Sequence, residues 1–355
     1  MELLTNIFKR KSWVVPFVAI ILGLLIGALV MFAGGYDPIL AYNSMVWKIF
    51  GSSYDIGEAL RTITPLVMSG LAVAIAFRSG LFNIGVDGQI VMGSLGALIV
   101  GTQLSLPPII HGIVAILFGA LLGGIWGGLI GYIKAKRGVN EVITSIMFNF
   151  IALYIANLMI RLFMAQAGTQ RSEMINETGN IQIGWLSGLM GGARIHWGFF
   201  IAIGAVIFYH IYINKTKWGY ELRAAGLNPH AAKFAGMKVS NVMVRAMFIS
   251  GVIGGLIGTF EVLGVFKYVA ISSVTSGLGF DGIAVALLGA NSAFGVLLAG
   301  GLVGALTYGS QGMSFGANVP GEIVRMVIGF IIFFVAAPGI VRTILPGFLK
   351  KKKEA

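Results

Sequence analysis

The chain has 355 residues, of which 57% are hydrophobic and only 11% charged, and its mean hydropathy is +0.90. A soluble domain carries about 25% charged residues and cannot hide this much apolar surface, so the composition predicts an all-α polytopic membrane protein. The net charge of +12 comes from Lys and Arg in loops beside apolar runs, which indicates positive-inside topology and argues against nucleic acid. Without cysteine, disulfides and thiolate metal sites are excluded.

The apolar runs predict about ten transmembrane helices in a single domain, residues 1–355. In chain order the predicted spans cover residues 13–32, 63–77, 86–101, 109–133, 142–164, 196–213, 243–263, 277–290, 293–308 and 323–341. A span needs about 20 apolar residues, so the eighth run is predicted as a short crossing. The first run is predicted as an uncleaved helix, since no small-residue cleavage pattern follows it.

The loops between these runs assign the two sides of the membrane. Basic residues at 9–11 and 350–353 place both termini in the cytoplasm, and the basic loop 214–242 lies on the same side. Residues 34–62 and 165–195 are polar with nearly balanced charge, which is typical of external loops. A short interfacial helix is predicted near residues 42–50.

The most informative stretch, residues 79–89, reads Ser-Gly-Leu-Phe-Asn-Ile-Gly-Val-Asp-Gly-Gln. Three glycines make a continuous helix unfavourable, because each costs about 1 kcal/mol relative to alanine. Polar side chains here must face protein or water rather than lipid. Two roles stay open for them, and for Asp281 in a later stretch: they cap broken helices, or they line a solute path. The polar members of the stretch are Asn83, Asp87 and Gln89.

The Ser-Gly-Leu triplet at 79–81 recurs at 276–278, and the topology places the first copy at the cytoplasmic side and the second at the external side. Two glycine-rich breaks of opposite orientation are typical of an inverted repeat, with the solute path at the repeat interface. The predicted halves are residues 62–165 and 243–342. Within the fifth span, Asn149 and Asn157 are predicted to make interhelical hydrogen bonds or to contact solute.

No residue set predicts catalysis, a cofactor or a metal. The phosphate-binding pattern G-x-x-x-x-G-K-[ST] does not occur, and the four histidines lack metal-ligand spacing. A transporter built from this chain would therefore draw on an ion gradient or on a separate ATPase.

Within the loop 214–242, two short Ala-rich helices are predicted to meet at residues 226–229. Gly226 is predicted to end the first helix, with Asn228 as a cap and Pro229 at the first position of the second. Their faces are too apolar for a solvated connector alone, which favours docking into a partner. The apolar residues are Leu222, Leu227, Phe234 and Met237.

Residues 80–89, Gly-Leu-Phe-Asn-Ile-Gly-Val-Asp-Gly-Gln, resemble the G-L-F-N-I-G-V-E-G-Q signature of ABC-importer permeases for nucleosides, within the branched-chain amino acid and ribose permease superfamily. Asp87 stands where that signature usually has Glu and keeps the carboxylate. Residues 219–236 resemble the cytoplasmic coupling loop of the same permeases, and residues 279–289 resemble a segment of their second half.

The resemblance implies a type II-like permease in a bacterial plasma membrane, paired with a second related permease as a heterodimer. An ABC ATPase would bind the coupling loop, and an extracellular lipoprotein would deliver nucleosides. The implied coupling residues are Glu221, Arg223, Ala225, Gly226, Asn228, Pro229 and Gly236. The candidate solute-path residues are Asn83, Asp87, Gln89, Asn149, Phe82, Phe280 and Asp281, of which the phenylalanines would stack on a nucleobase. Three alternatives stay open: a sugar or branched-chain amino acid permease, an ion-coupled carrier, and a non-transporting scaffold.

Overall fold

The computed structural model describes residues 14–337, and within that range the chain is helical with only isolated β-bridges between loop segments. The described chain falls into two compact units. Unit 1 contains the residues up to 59 and those from 305 onward, and unit 2 contains residues 60–304. The basic residues at 9–11 and 350–353, with Arg342, lie outside the described residues, so the predicted sidedness of the termini stays a prediction.

Fourteen α-helices follow one another in the described range. They are α1 (Val14–Ala33), α2 (Pro38–Phe50), α3 (Ser53–Arg78), α4 (Val86–Gln103), α5 (Ile110–Arg137), α6 (Glu141–Met159), α7 (Gly184–Leu189), α8 (Gly198–Lys215), α9 (Lys217–Leu227), α10 (Pro229–Phe234), α11 (Val239–Phe260), α12 (Leu278–Leu288), α13 (Ala293–Ala317) and α14 (Gly321–Ala336). Two of them continue into π-helical turns: α6 through Ile160–Met164 and α11 through Glu261–Phe266. A 3-10 turn forms at Glu177–Gly179.

Six helical segments of the described chain are long and apolar enough to cross a membrane. They are Ser53–Arg78, Ile110–Arg137, Glu141–Met164, Gly198–Lys215, Val239–Phe266 and Ala293–Ala317. The remaining predicted spans form shorter or more polar helices, among them α4 and α12. A multi-pass membrane protein is therefore confirmed, and the count of ten stays a prediction.

Residues 34–62 were predicted as an external loop with a short helix near residues 42–50. That helix exists as α2, but the rest is not a loop, since α3 begins at Ser53, and the external side stays a prediction. Asp37 accepts hydrogen bonds from the backbone N–H groups of Ile39 and Leu40, at 2.8 and 3.2 Å, and so caps α2. The polar residues after it belong to the first turns of α3. There Asp55 accepts from Lys48 at 2.7 Å, and this pairing lets a charged residue remain inside a helical unit.

In unit 2, α4, α5 and α11 meet through glycines that let their backbones approach closely. A Cβ at Gly93 of α4 would lie 2.1 Å from the carbonyl oxygen of Gly255 in α11. A Cβ at Gly123 of α5 would lie 2.5 Å from the Cα of the same Gly255. The glycines of α5, which forms from the fourth predicted span, therefore serve helix packing, and this three-helix core supports the helix break described below.

We expect Gly93→Ala to destabilise the protein by about 1–3 kcal/mol or more, because the added methyl group meets backbone that cannot move aside. The readout is the thermal midpoint of detergent-solubilised protein. Gly204→Ala is the matched control, since a Cβ at Gly204 meets no atom within 4 Å. Equal midpoints for the two variants would contradict the close crossing.

Candidate functional site

The predicted helix break exists, and it is shorter than the sequence suggested. Helix α3 ends at Arg78 and α4 begins at Val86, so the break covers residues 79–85. Gly80 has a φ of 79°, a left-handed conformation that favours glycine. Asp87 and Gln89 were predicted within the break but belong to the first turn of α4, because the helix restarts before the third glycine.

Asparagine side chains bind the free backbone groups of the break. Asn83 Oδ1 accepts from the Gly85 N–H at 2.8 Å, and Asn83 Nδ2 donates to the Ser250 hydroxyl at 2.7 Å. Asn149 reaches over from α6, accepting from the Gly88 N–H at 2.8 Å and donating to the Ile84 carbonyl at 3.0 Å. Asn83 therefore has the predicted capping role and Asn149 makes the predicted interhelical hydrogen bonds, since backbone groups cannot remain unpaired in an apolar interior.

The Asp87 carboxylate connects the two breaks. Its Oδ1 accepts from the Gly279 N–H and from the Ser276 hydroxyl, each at 3.2 Å, and its side chain is fully buried. Asp87 therefore caps the N-terminus of α12 from another helix, where a negative charge is favourable. Gln89, also fully buried, pairs with Asn83 at 3.4 Å.

The Asp87 carboxylate brings the two predicted breaks into hydrogen-bond contact, and their placement on opposite sides of the membrane stays a prediction. Helix α12 has 11 residues and is about 16 Å long, roughly half of a hydrocarbon core. Its start can therefore lie deep in the protein rather than at a surface. Gly277 has a φ of 77°, close to that of Gly80, so the glycines of the two recurring triplets share a left-handed φ.

An extended segment, residues 267–277, precedes α12, and the loop before α7 pairs with it. The Ser172 N–H donates to the Val269 carbonyl and the Ile175 N–H to the Lys267 carbonyl, both at 2.9 Å. On the other edge, Asn157 Nδ2 donates to the Ser272 carbonyl at 2.7 Å. Extended backbone at membrane depth is tolerated only when it is paired or lines a cavity, and both conditions hold here.

A cavity of about 420 Å³, called the segment cavity below, lies between this segment, α4, α6 and the end of α11. Its volume falls within the range of about 300–1,000 Å³ that is usual for small-molecule sites. Its apolar wall consists of Ile90, Val91, Leu153, Ala156, Val262 and Leu278. Its aromatic and polar wall includes Phe266, Tyr268, Ser94, Asn157, Glu261, Thr275 and Ser276.

The predicted solute-path residues do not line the segment cavity. Asp87 does not line the cavity, but it accepts a hydrogen bond from Ser276, which does. Phe82 packs edge-on against Phe77 with ring centroids 4.9 Å apart, and Phe280 and Asp281 are exposed on α12. Contact of these side chains with solute stays a prediction.

The sequence analysis missed most of the cavity lining. Residues 267–276 precede the short predicted crossing at 277–290 and were assigned no role, although their polarity beside apolar spans was the available signal. Asn157 was weighed as a ligand or an interhelical bond, and it binds the extended segment. Across the described residues, no cluster of three or more His, Asp or Glu side chains could hold a metal ion.

The predicted helix pair in the loop 214–242 is confirmed as α9 and α10. Asn228 Oδ1 accepts from the N–H groups of His230 and Ala231, at 3.0 and 3.1 Å, and Pro229 opens α10. The buried side of the pair is formed by Leu222 and Ala225, whereas the predicted apolar residues Leu227 and Phe234 are 88% and 95% exposed. Arg223 lines a cleft of about 520 Å³ between α9 and the end of α3, and Gly236 follows α10 with a φ of 82°.

Gly226 was expected to end the first helix of the pair, which is wrong, because α9 continues through Leu227. The absence of a side chain at Gly226 instead lets α9 approach the backbone at the end of α3 and the start of the first break. A Cβ at Gly226 would lie 2.2 Å from the Arg78 carbonyl oxygen and 3.0 Å from the Gly80 nitrogen. Glu221 pairs with Arg245 of α11 at 2.8 Å. The helix pair therefore rests directly on the first break and is fastened to α11.

Comparison with known proteins places these features in one family. The sequence model of a family described as "branched-chain amino acid transport system / permease component" matches residues 56–336. The chain is 44% identical over 345 residues to the guanosine ABC transporter permease protein NupP of Bacillus subtilis, covering 97% of this chain and 99% of the relative. It is 34% identical to the nucleoside ABC transporter permease protein NupB of Lactococcus lactis, covering 95% and 94%. The glucose ABC transporter permease protein TsgB13 of Haloferax volcanii is 31% identical, covering 90% and 86%.

We expect Asn149→Ala to lower stability by about 1–3 kcal/mol for each of the two backbone groups that it leaves unpaired. The readout is again the thermal midpoint in detergent. Asn214→Ala is the control, because that exposed side chain bonds only within its own helix, donating to His210. If Asn149→Ala and Asn214→Ala have the same thermal midpoint, the hydrogen bonds of Asn149 to the break do not contribute to stability.

Proposed function

The chain belongs to the family of branched-chain amino acid transport system permease components, and from that premise we propose that it is the membrane subunit of an ATP-driven nucleoside importer. The two relatives named for guanosine and nucleoside transport align along nearly all of the chain. A permease subunit is a transport component and not an enzyme, in keeping with a sequence that has no phosphate-binding loop.

The observation that carries the proposal is the exposed apolar tip of the helix pair. Leu227 and Phe234 are large apolar side chains that are 88% and 95% exposed. Exposed apolar surface of this kind is typical of an interaction site rather than of a solvated connecting loop. An ABC ATPase would cover both, as a groove covers the apolar face of a short helix. Glu221 and Arg223 would orient the pair through α11 and the adjoining cleft.

Contacts lead inward from this docking surface to the solute region. Gly226, next to Leu227, packs on Arg78 and Gly80 of the first break. Asp87, just after that break, caps α12, whose approach segment lines the segment cavity. A movement of the helix pair would therefore reach the cavity through directly bonded or packed groups.

In the membrane we propose about ten crossings, with both termini in the cytoplasm. The six long helices would be joined by α1, α4 and α14, and by a crossing that combines residues 267–277 with α12. The matching conformations of Gly80 and Gly277 support an inverted repeat of residues 62–165 and 243–342. The assembly would contain a second, related permease, an ABC ATPase and an extracellular substrate-binding lipoprotein in a bacterial plasma membrane.

A sugar is the second candidate solute, since one relative is named for glucose transport. A branched-chain amino acid and an ion-coupled carrier remain as alternatives from the sequence. Membrane-spanning segments interrupted by polar breaks support transport over a scaffold role.

We expect Leu227→Ser and Phe234→Ser to reduce co-purification of the ATPase by more than about tenfold, because truncating an apolar anchor often costs about 2 kcal/mol of binding. Membrane levels of the permease should stay unchanged, as both side chains are exposed. Leu189→Ser, which removes a 71% exposed leucine from α7, is the control. If both variants co-purify as much ATPase as the wild type, α9 and α10 are not the docking site.

We expect cells with the complete importer to take up labelled guanosine or uridine, and deletion of the ATPase subunit to abolish this uptake. Unlabelled ribose and leucine should compete weakly. Uptake that persists without the ATPase, and collapses with an ionophore while ATP is held constant, would identify an ion-coupled carrier instead.

A further inference from the structure

We propose that the segment cavity is the solute-contact site of this subunit and that it is built for an uncharged ligand with a flat face. It would admit a nucleoside and reject the corresponding nucleoside phosphate. The ligand class rests on the proposed function. New here are the location of the binding site, the residues that line it and its selection against charged ligands.

Size and wall chemistry support a flat ligand with one apolar face. The cavity volume of about 420 Å³ suits a small organic molecule rather than an ion. Apolar residues of α4 and α6 face the aromatic rings of Phe266 and Tyr268 near the extended segment. An aromatic base can stack on such rings, and base–aromatic stacking contributes about 1–3 kcal/mol.

The polar part of the wall can bind sugar hydroxyls and base edges. Ser94 lies on α4 and Thr275 on the extended segment, and a hydroxyl group both donates and accepts. Glu261, in the π-helical turn after α11, also lines the cavity, and it already interacts with another group of the protein. Asn157 is a positioning residue, because its amide holds Ser272 and thereby the segment.

The charge of the wall disfavours anions. Among the described residues, those that line the cavity include one carboxylate and neither Lys nor Arg. Lys267, next to two lining residues, directs its Nζ to Glu177 at 3.2 Å. Arg171 lies over the Tyr268 ring at 4.8 Å, but it is not a lining residue and its Nε donates to Gln166. A phosphate group in the cavity would have no Lys or Arg side chain among the described lining residues to pair with, and burying an unpaired charge is unfavourable.

The start of α12 would ordinarily attract an anion, since helix N-termini bind phosphates and carboxylates. Here Asp87 already occupies that position by accepting from Gly279 and Ser276. The same carboxylate that joins the two breaks thus occupies the N-terminus of α12, which is then not available to a charged ligand. This argues against nucleotides and also against amino acids, whose carboxylate needs such a partner.

The natural absence of cysteine allows a direct test, because introduced thiols are labelled without background. Ser94→Cys and Thr275→Cys place single thiols on opposite sides of the cavity in membranes that contain the full importer. A small neutral maleimide is applied alone, with guanosine or uridine, or with guanosine 5′-monophosphate. Ser273→Cys is the matched control, since Ser273 is exposed on the same segment and does not line the cavity.

We expect the nucleoside at about twice its Kd to slow labelling of both cavity cysteines about threefold, since the rate falls as 1 + [L]/Kd. The monophosphate should leave labelling unchanged, and Ser273→Cys should respond to neither. Nucleoside uptake by the wild-type importer is measured in parallel.

If the wild type imports nucleosides but they protect neither cysteine, the site assignment is wrong. Equal protection by the monophosphate overturns the charge selection. If the wild type imports glucose and no nucleoside, the proposed function fails, and glucose against glucose 6-phosphate then tests the cavity by the same criterion.

Discussion

The contact between the Asp87 carboxylate and the N-terminus of α12 is the interaction on which the arrangement of unit 2 depends. It joins two interruptions that are almost 200 residues apart in the chain, through one oxygen that accepts from both Ser276 and Gly279. Its other oxygen, Oδ2, has no hydrogen-bond partner among the described residues. A buried, half-satisfied carboxylate is costly for stability alone, which supports a functional reason for its position.

At the two irregular segments described above, side chains and a neighbouring loop pair with the exposed backbone. Asn83 and Asn149 bind the break at residues 79–85, and the loop before α7 pairs with residues 267–277 on one edge. Hydrocarbon offers no substitute for these partners, so irregular backbone can persist only where the protein supplies them. The same requirement explains why the two irregular segments meet inside the protein.

The helix pair α9–α10 and the segment cavity are linked by short steps of this kind. Gly226 rests on the first break, the break leads into Asp87, and Asp87 holds the helix whose approach lines the cavity. Such a route is a set of contacts, and energetic coupling along it requires that its elements adopt two arrangements.

The sequence alone determined the membrane class and most helix positions. It also determined the break after Arg78 and the capped helix pair at Asn228–Pro229. These features depend on hydropathy, glycine and cap residues, whose effects act within a few positions of the chain. The family signature at residues 80–89 was equally readable. Only the tertiary structure decided that the two breaks touch, that Gly226 serves a close approach rather than a helix end, and that residues 267–277 line a cavity. These outcomes depend on groups far apart in the chain, such as Asp87 with Gly279, and no local pattern records which distant partner satisfies a buried polar group.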